Sequence, residues 1–364
     1  MPFVFWLIGA VVGAVIASAT PPDPMAAKLQ RVEAYLVDER ERQRIPGMSV
    51  ALVLKDRRIW SRGFGVADVE NDVRATPRTV YRIASISRMI TAAAVLQLVQ
   101  AGKIGLNASV RDYVPEFPDK GFPIKLEHLP PHLSGIRSCK NRSALLNREH
   151  FPRLVDTLVL FKDDPLVARP GERFINSPYG YTLLGLVIER VSGATFGDYL
   201  EEHVFEPLGM TSAGLEDLTA IIPHRAKGYV LDEDGTLRNS YFVDLSARYP
   251  ADGMVATVED LARFAIGLMD GKLLNAPFVR LMTTEYRTKK GKPTQYGLGC
   301  FVREHNGRRI IGHGGWGPQV STFLLILPEQ SVAIVILANL EQVDVKMMSI
   351  AIADLLLDGK APGS

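Results

Sequence analysis

Cysteine is scarce: only Cys139 and Cys300 occur in 364 residues, far apart in the chain. They lack the spacing of metal ligands, and the seven histidines form no H-E-x-x-H pattern. The sequence therefore calls for no metal and no cofactor, and two unlinked thiols are expected. An excess of either charge is lacking too. With 42 Lys and Arg against 40 Asp and Glu, the formal net charge is +2. No run of like charge is long enough to be a binding tail, which argues against a nucleic-acid partner. The short basic cluster Arg287, Lys289, Lys290 and Lys292 contains Gly291 and reads as a solvated hairpin turn. Internal repeats are lacking, as are low-complexity tracts beyond the leader.

What is present fits a globular protein, with 47% hydrophobic and 23% charged residues and enough length to bury a large core. Residues 3–19 form an apolar or small-residue run without a charge, followed by Thr20-Pro21-Pro22-Asp23-Pro24. Ala17-Ser18-Ala19 fits the small-x-small cleavage pattern of a secretory signal. No Lys or Arg precedes the run, and Gly9 and Gly13 form a GxxxG pair. A spanning helix needs roughly 20 residues, so the run is short for one, yet uncleaved it would anchor the protein to a membrane. Export to the periplasmic or extracellular side is expected, with cleavage and anchoring both open.

After this leader and linker (1–24), residues 25–364 read as one domain. An amphipathic helix over 28–44 ends at Pro46-Gly47, and strands follow at 48–54 and 59–65. Residues 85–100 read as a helix, as does a stretch beginning near Tyr179, and another over 257–271 has Thr257 as its N-cap. The last quarter reads as strands at 296–302, 308–311, 321–327 and 332–338, then a helix at 347–357. Strands at both ends and helices between them predict an α+β fold. One antiparallel sheet, flanked by N- and C-terminal helices, forms a lobe from about 28–80 and 290–364; a mainly helical lobe, about 81–289, is inserted.

Within YRIASISRMI, residues 81–90, Ser85 stands three residues before Arg88 at a predicted helix start. A serine there lies near unpaired backbone N–H groups, which favour a developing oxyanion. A residue three later shares its helix face. In S-x-x-K enzymes that residue is a lysine whose pKa falls on burial, so that it takes the serine proton. Taken alone, the pair reads rather as an N-cap and a surface charge. The stretch Pro46-Gly47-Met48-Ser49-Val50-Ala51 faintly matches G-x-S-x-G, but it lacks the second glycine and sits in a strand pattern, so Ser49 reads as structural.

Four stretches occur in an order that carries further: Arg82-Ile83-Ala84-Ser85-Ile86-Ser87-Arg88; His132-Leu133-Ser134-Gly135-Ile136; Pro170-Gly171-Glu172 with Gly180-Tyr181-Thr182-Leu183-Leu184-Gly185; and Gly312-His313-Gly314-Gly315. With them the chain, from about Lys28 onward, resembles the serine β-lactamase and penicillin-binding-protein-like family. It is most similar to the lactamase-beta-like branch, relatives of class C β-lactamases. The resemblance implies a β-lactamase/transpeptidase-like fold and acyl-enzyme chemistry at Ser85 on the ester, amide or peptide bond of a small-molecule or peptide substrate. It implies an oxyanion hole made by the Ser85 N–H and a backbone N–H just after His313-Gly314-Gly315, taken as that of Trp316. His313 would face the cleft in the place of the first residue of a K-T-G or H-x-G triplet. By residue type alone, Gly314 and Gly315 fit equally well in a turn leading into a strand.

Two positions depart from the family pattern. Arg88 replaces the lysine, and arginine stays protonated, so it holds negative charge but is no general base. The Tyr-Ser-Asn or Tyr-Ser-Thr triplet reads Asn176-Ser177-Pro178 here, which removes the relay tyrosine and leaves Ser177 as a candidate cleft residue. General acid–base catalysis is worth roughly 10²–10⁴-fold. One reading is an altered serine hydrolase in which His313, titrating near neutral pH, takes the Ser85 proton while Arg88 pairs with a carboxylate of substrate or protein. The other is a catalytically lapsed member that binds a ligand or serves as a scaffold.

Overall fold

The computed structural model describes residue 1 and residues 24–55, 57, 59–141 and 145–359; the apolar run at 3–19 lies outside them. Among the described residues no helix is long and apolar enough to cross a membrane. Strands β1 (Gly47–Val53), β2 (Ile59–Asp68), β3 (Val73–Arg74), β4 (Phe301–His305), β5 (Arg308–Gly317), β6 (Val320–Leu327) and β7 (Val332–Ala338) form one sheet. Its order is β3-β2-β1-β7-β6-β5-β4, and every pairing is antiparallel. The two ends of the chain meet at its centre, where Met48 lies opposite Ala338 and Val53 opposite Ala333.

Period-two alternation decides the layers. Along β1 and β7, Ala51, Val53, Val335 and Leu337 enter one core cluster, while Val50, Leu52, Ile334 and Ile336 enter the other. Every residue of both strands is buried, so the sheet is covered on both faces. On one side lie α1 (Pro24–Arg42), through Val32 and Leu36, and the C-terminal helix, through Ile352 and Leu356. On the other lies the inserted lobe, with α2 (Ser87–Gln100), α3 (Pro178–Ser192) and α4 (Val258–Met269). Each such Leu, Ile or Val contributes about 1.5–3 kcal/mol by leaving water. The α+β architecture matches the sequence expectation, and α4 begins at the expected cap, where the Thr257 side chain accepts from the Asp260 N–H.

Some boundaries moved. The strand expected at 296–302 begins instead at Phe301, because Gly297 N–H closes a turn onto Cys300 O at 2.8 Å and Gly299 takes φ +82°. Tyr296 is consequently a loop residue. Strand β5 does not stop at 311 but runs to Gly317, so His313-Gly314-Gly315 lies inside a strand rather than in a turn leading into one. Helix α2 starts at Ser87, after a short 3₁₀ turn over Ala84–Ile86. Cys139 and Cys300 are both free thiols.

Candidate active site

Ser85, half-buried, is the middle residue of the Ala84–Ile86 turn. Ala84 before it takes φ +46°, a left-handed conformation that costs an L-residue roughly 1–2 kcal/mol. The surrounding contacts hold it there. Thr322 Oγ1 donates to Ile83 O at 3.1 Å, tying the turn to β6. In the β5–β6 register, Ile311, His313 and Gly315 stand opposite Ile326, Leu324 and Thr322. Ile311, Ile326 and Leu324 belong to the lobe-side core, so His313 and Gly315 share that face. Strand β4 accompanies β5 only as far as Gly312. The remaining edge of β5 packs against the Ser85 turn. A Cβ on Gly315 would stand 2.6 Å from Ala84 Cβ and 2.8 Å from Ser85 N, so only glycine permits this approach.

Ser85 Oγ donates to Asp252 Oδ1 at 2.8 Å. The same oxygen accepts from Arg88 Nη2 at 3.2 Å, while Arg88 Nη1 donates to Asn176 Oδ1 at 2.7 Å. The two departures from the family pattern therefore touch each other. Arg88 is buried and Asp252 half-buried, with Arg248 Nε 3.8 Å from Asp252 Oδ2. Among the described residues Arg88 Nε has no hydrogen-bond partner. Burial works against the Arg88 charge, but Asp252, Tyr296 and Tyr181 outweigh it and raise the guanidinium pKa. Burial also pushes the Asp252 carboxyl up, yet Arg88, Arg248, the Ser85 hydroxyl and His313 together bring it below its ordinary value. The carboxylate expected to pair with Arg88 is thus a protein side chain.

His313 is not the base expected from the sequence. Its Nδ1 donates to Gly314 O at 2.6 Å, which leaves Nε2 to accept from the Tyr296 hydroxyl at 2.7 Å. Burial first, then the Arg88 charge, push its pKa down to about 3 despite the Gly314 carbonyl and Asp252. At neutral pH the ring is uncharged and its free lone pair already holds the Tyr296 proton, so the neutral titration expected of it is corrected. Burial in turn raises the Tyr296 phenol. His132, buried beside Arg88, accepts from the Ser177 N–H at 3.2 Å, and burial with the Arg88 charge holds it neutral.

Other candidates also separate. Ser177 does not serve the cleft: its hydroxyl donates to Arg137 O at 2.6 Å and accepts from Tyr179 N as the N-cap of α3. Gly314 faces the opposite side of the sheet, where a Cβ would meet the Phe323 ring at 2.7 Å. The Trp316 side chain is 73% exposed; only its backbone enters the oxyanion reading. Asn176 is exposed at the rim and Ser49 is buried, donating to Thr76 O at 2.7 Å. Sequence reasoning missed Asp252 and Tyr296 as partners of these groups. The one available signal for Asp252 was chemical, namely that a buried Arg88 requires a carboxylate.

Residues 30–357 match the model of the beta-lactamase family. The human serine beta-lactamase-like protein LACTB, mitochondrial, is 30% identical over 379 residues, covering 78% of this chain and 69% of LACTB. The octameric penicillin-binding protein homologue from Pyrococcus abyssi shares the fold with a TM-score of 0.80 at 27% identity, over 92% of this chain and 78% of that one. The penicillin binding protein from Bacillus halodurans gives 0.76 at 26%, over 87% and 99%.

Proposed function

This chain belongs to the beta-lactamase family, a family of serine hydrolases and penicillin-binding-protein relatives, and on that premise we propose that it forms an acyl-enzyme on Ser85 with ester, amide or peptide substrates. The observation that carries the reading is the approach of Gly315 to Ser85 N, which only glycine permits. It supports a reading in which the N–H groups of Ser85 and Trp316 are the oxyanion donors and Ser85 Oγ is the nucleophile. Arg88 adds positive charge beside the same centre. Catalysis is altered rather than standard, because neither Arg88 nor Asn176 can move a proton as lysine and tyrosine do. The apolar run at 3–19 with Ala17-Ser18-Ala19 supports an exported protein, cleaved or anchored at the membrane.

A second reading, a lapsed enzyme that binds a ligand or acts as a scaffold, draws on the Arg88–Asn176 hydrogen bond, in which the two replaced positions satisfy one another. Hydrolysis of p-nitrophenyl acetate separates the two. The hydrolase reading expects turnover above buffer by the wild type that falls to the buffer rate in folded Ser85→Ala. Equal rates in the two proteins would leave the lapsed reading standing.

A further inference from the structure

Resting on the hydrolase reading above, we propose that Asp252 is the catalytic residue that takes and returns the Ser85 proton, in place of the lysine and tyrosine the family uses. The Ser85 hydroxyl aims its proton at Asp252 Oδ1 over 2.8 Å, within the reach a general base needs. His313 has both ring nitrogens committed, to Gly314 O and Tyr296. Arg88 has no proton to exchange at neutral pH. Asp252 is the acceptor in direct contact with the nucleophile.

The proton balance closes with these groups alone. As the bond from Ser85 Oγ to the acyl carbon forms, the hydroxyl proton passes to Asp252. The carboxylic acid gives that proton to the departing alkoxide or amine as its bond to the acyl carbon breaks. In the second half, a water oxygen bonds to the acyl carbon and its proton goes to Asp252, which returns it to Ser85 Oγ as the carboxylic acid product leaves. Arg88 has a double effect through its bond to the same Oδ1. It keeps Asp252 ionised, and it makes the carboxylate a weaker base than a free one, which fits altered rather than efficient catalysis.

The charged and titratable groups around Asp252 are Arg88 from the first turn of α2, the Ser85 hydroxyl from the turn before it, Arg248 from its own segment and His313 from β5, with Tyr181 of α3 against Arg88. They hold its carboxyl below the ordinary value. Hydrolysis should therefore be flat from about pH 6 to 8 and decline only in acid, below the usual carboxylate pKa of about 4. A lysine-like base, or an imidazole at its ordinary pKa of about 6.5, would instead give a rate that climbs within that window.

The test compares wild type, Asp252→Asn and Asp252→Glu in p-nitrophenyl acetate hydrolysis and in fluorophosphonate labelling of Ser85, with circular dichroism as the check on folding. Asp252→Asn should lose about 10²–10⁴-fold in both, and Asp252→Glu should recover part of it. A wild type that labels on Ser85 and a folded Asp252→Asn that labels as fast would overturn the inference while sparing the hydrolase reading. A wild type that never labels on Ser85 overturns the hydrolase reading itself. Should Asp252→Asn fail to fold, for want of an Arg88 partner, the wild-type pH profile decides: flat supports Asp252, and a climb from pH 6 to 8 rejects it.

Discussion

Arginine at position 88 becomes intelligible through its neighbours. Its two terminal nitrogens reach two different oxygens, on Asn176 and Asp252. A lysine ammonium has no planar fork with which to match that geometry. Asn176 supplies the amide carbonyl oxygen to which one of these nitrogens donates, a group that tyrosine lacks. Arg88→Lys alone should slow ester hydrolysis by loosening the Asn176 contact, and Asn176→Tyr alone should slow it by stranding a buried donor. Both together rebuild the family's proton pair. Residues that act as one unit are strongly non-additive, so the rate of the double variant should exceed the product of the two single effects. Ester hydrolysis by all four folded proteins checks this; a double variant that matches the product would mean that the two positions act independently.

The site depends on how closely β5 runs beside the Ser85 turn. Gly315→Ala would put a methyl group 2.6 Å from Ala84 Cβ and 2.8 Å from Ser85 N, and either the strand or the turn must give way. Loss of one oxyanion donor costs about 10²–10³-fold in kcat, and that is the expected fall in ester hydrolysis, with circular dichroism unchanged. Gly317, two residues on, has open space around its Cβ position, so Gly317→Ala should leave the rate as it was. Equal effects at both positions would detach the packing from the chemistry. The alternating strands β1, β6 and β7 and the Thr257 cap were legible because their signals are local. The extent of β5 was not, because Gly312, Gly314 and Gly315 read as breakers and only the partner strand β6 shows that they stay paired. The beginning of α2 was misplaced for a related reason. Ser85 has the residue type of an N-cap, but the left-handed Ala84 and the bond to Asp252 are imposed by tertiary contacts.

The whole molecule brings together residues that no sequence window contains. Ser85 lies in the turn before α2 and Arg88 in its first turn, Asn176 precedes α3, Asp252 lies ahead of α4 and His313 comes from β5. A second buried ion cluster braces this arrangement. Arg82 Nε donates to fully buried Glu216 at 2.7 Å, while its other nitrogens donate to Val243 O at 3.0 Å and Pro318 O at 3.3 Å. Arg82 thereby ties the strand leading into Ser85 to the turn that follows Trp316. Family membership was legible from the order of four motifs, whereas the contact of Asp252 with Ser85 was not, since no spacing rule connects it to a serine 167 residues away. Ser85 is the group expected to be acylated. The most direct measurement of this is intact-mass analysis, with peptide mapping, after incubation of wild type and Ser85→Ala with a fluorophosphonate and with a penicillin. A single adduct on the Ser85 peptide, absent from Ser85→Ala, is the predicted result; an adduct on Ser49, Ser134 or Ser177, or none with either reagent, would contradict it.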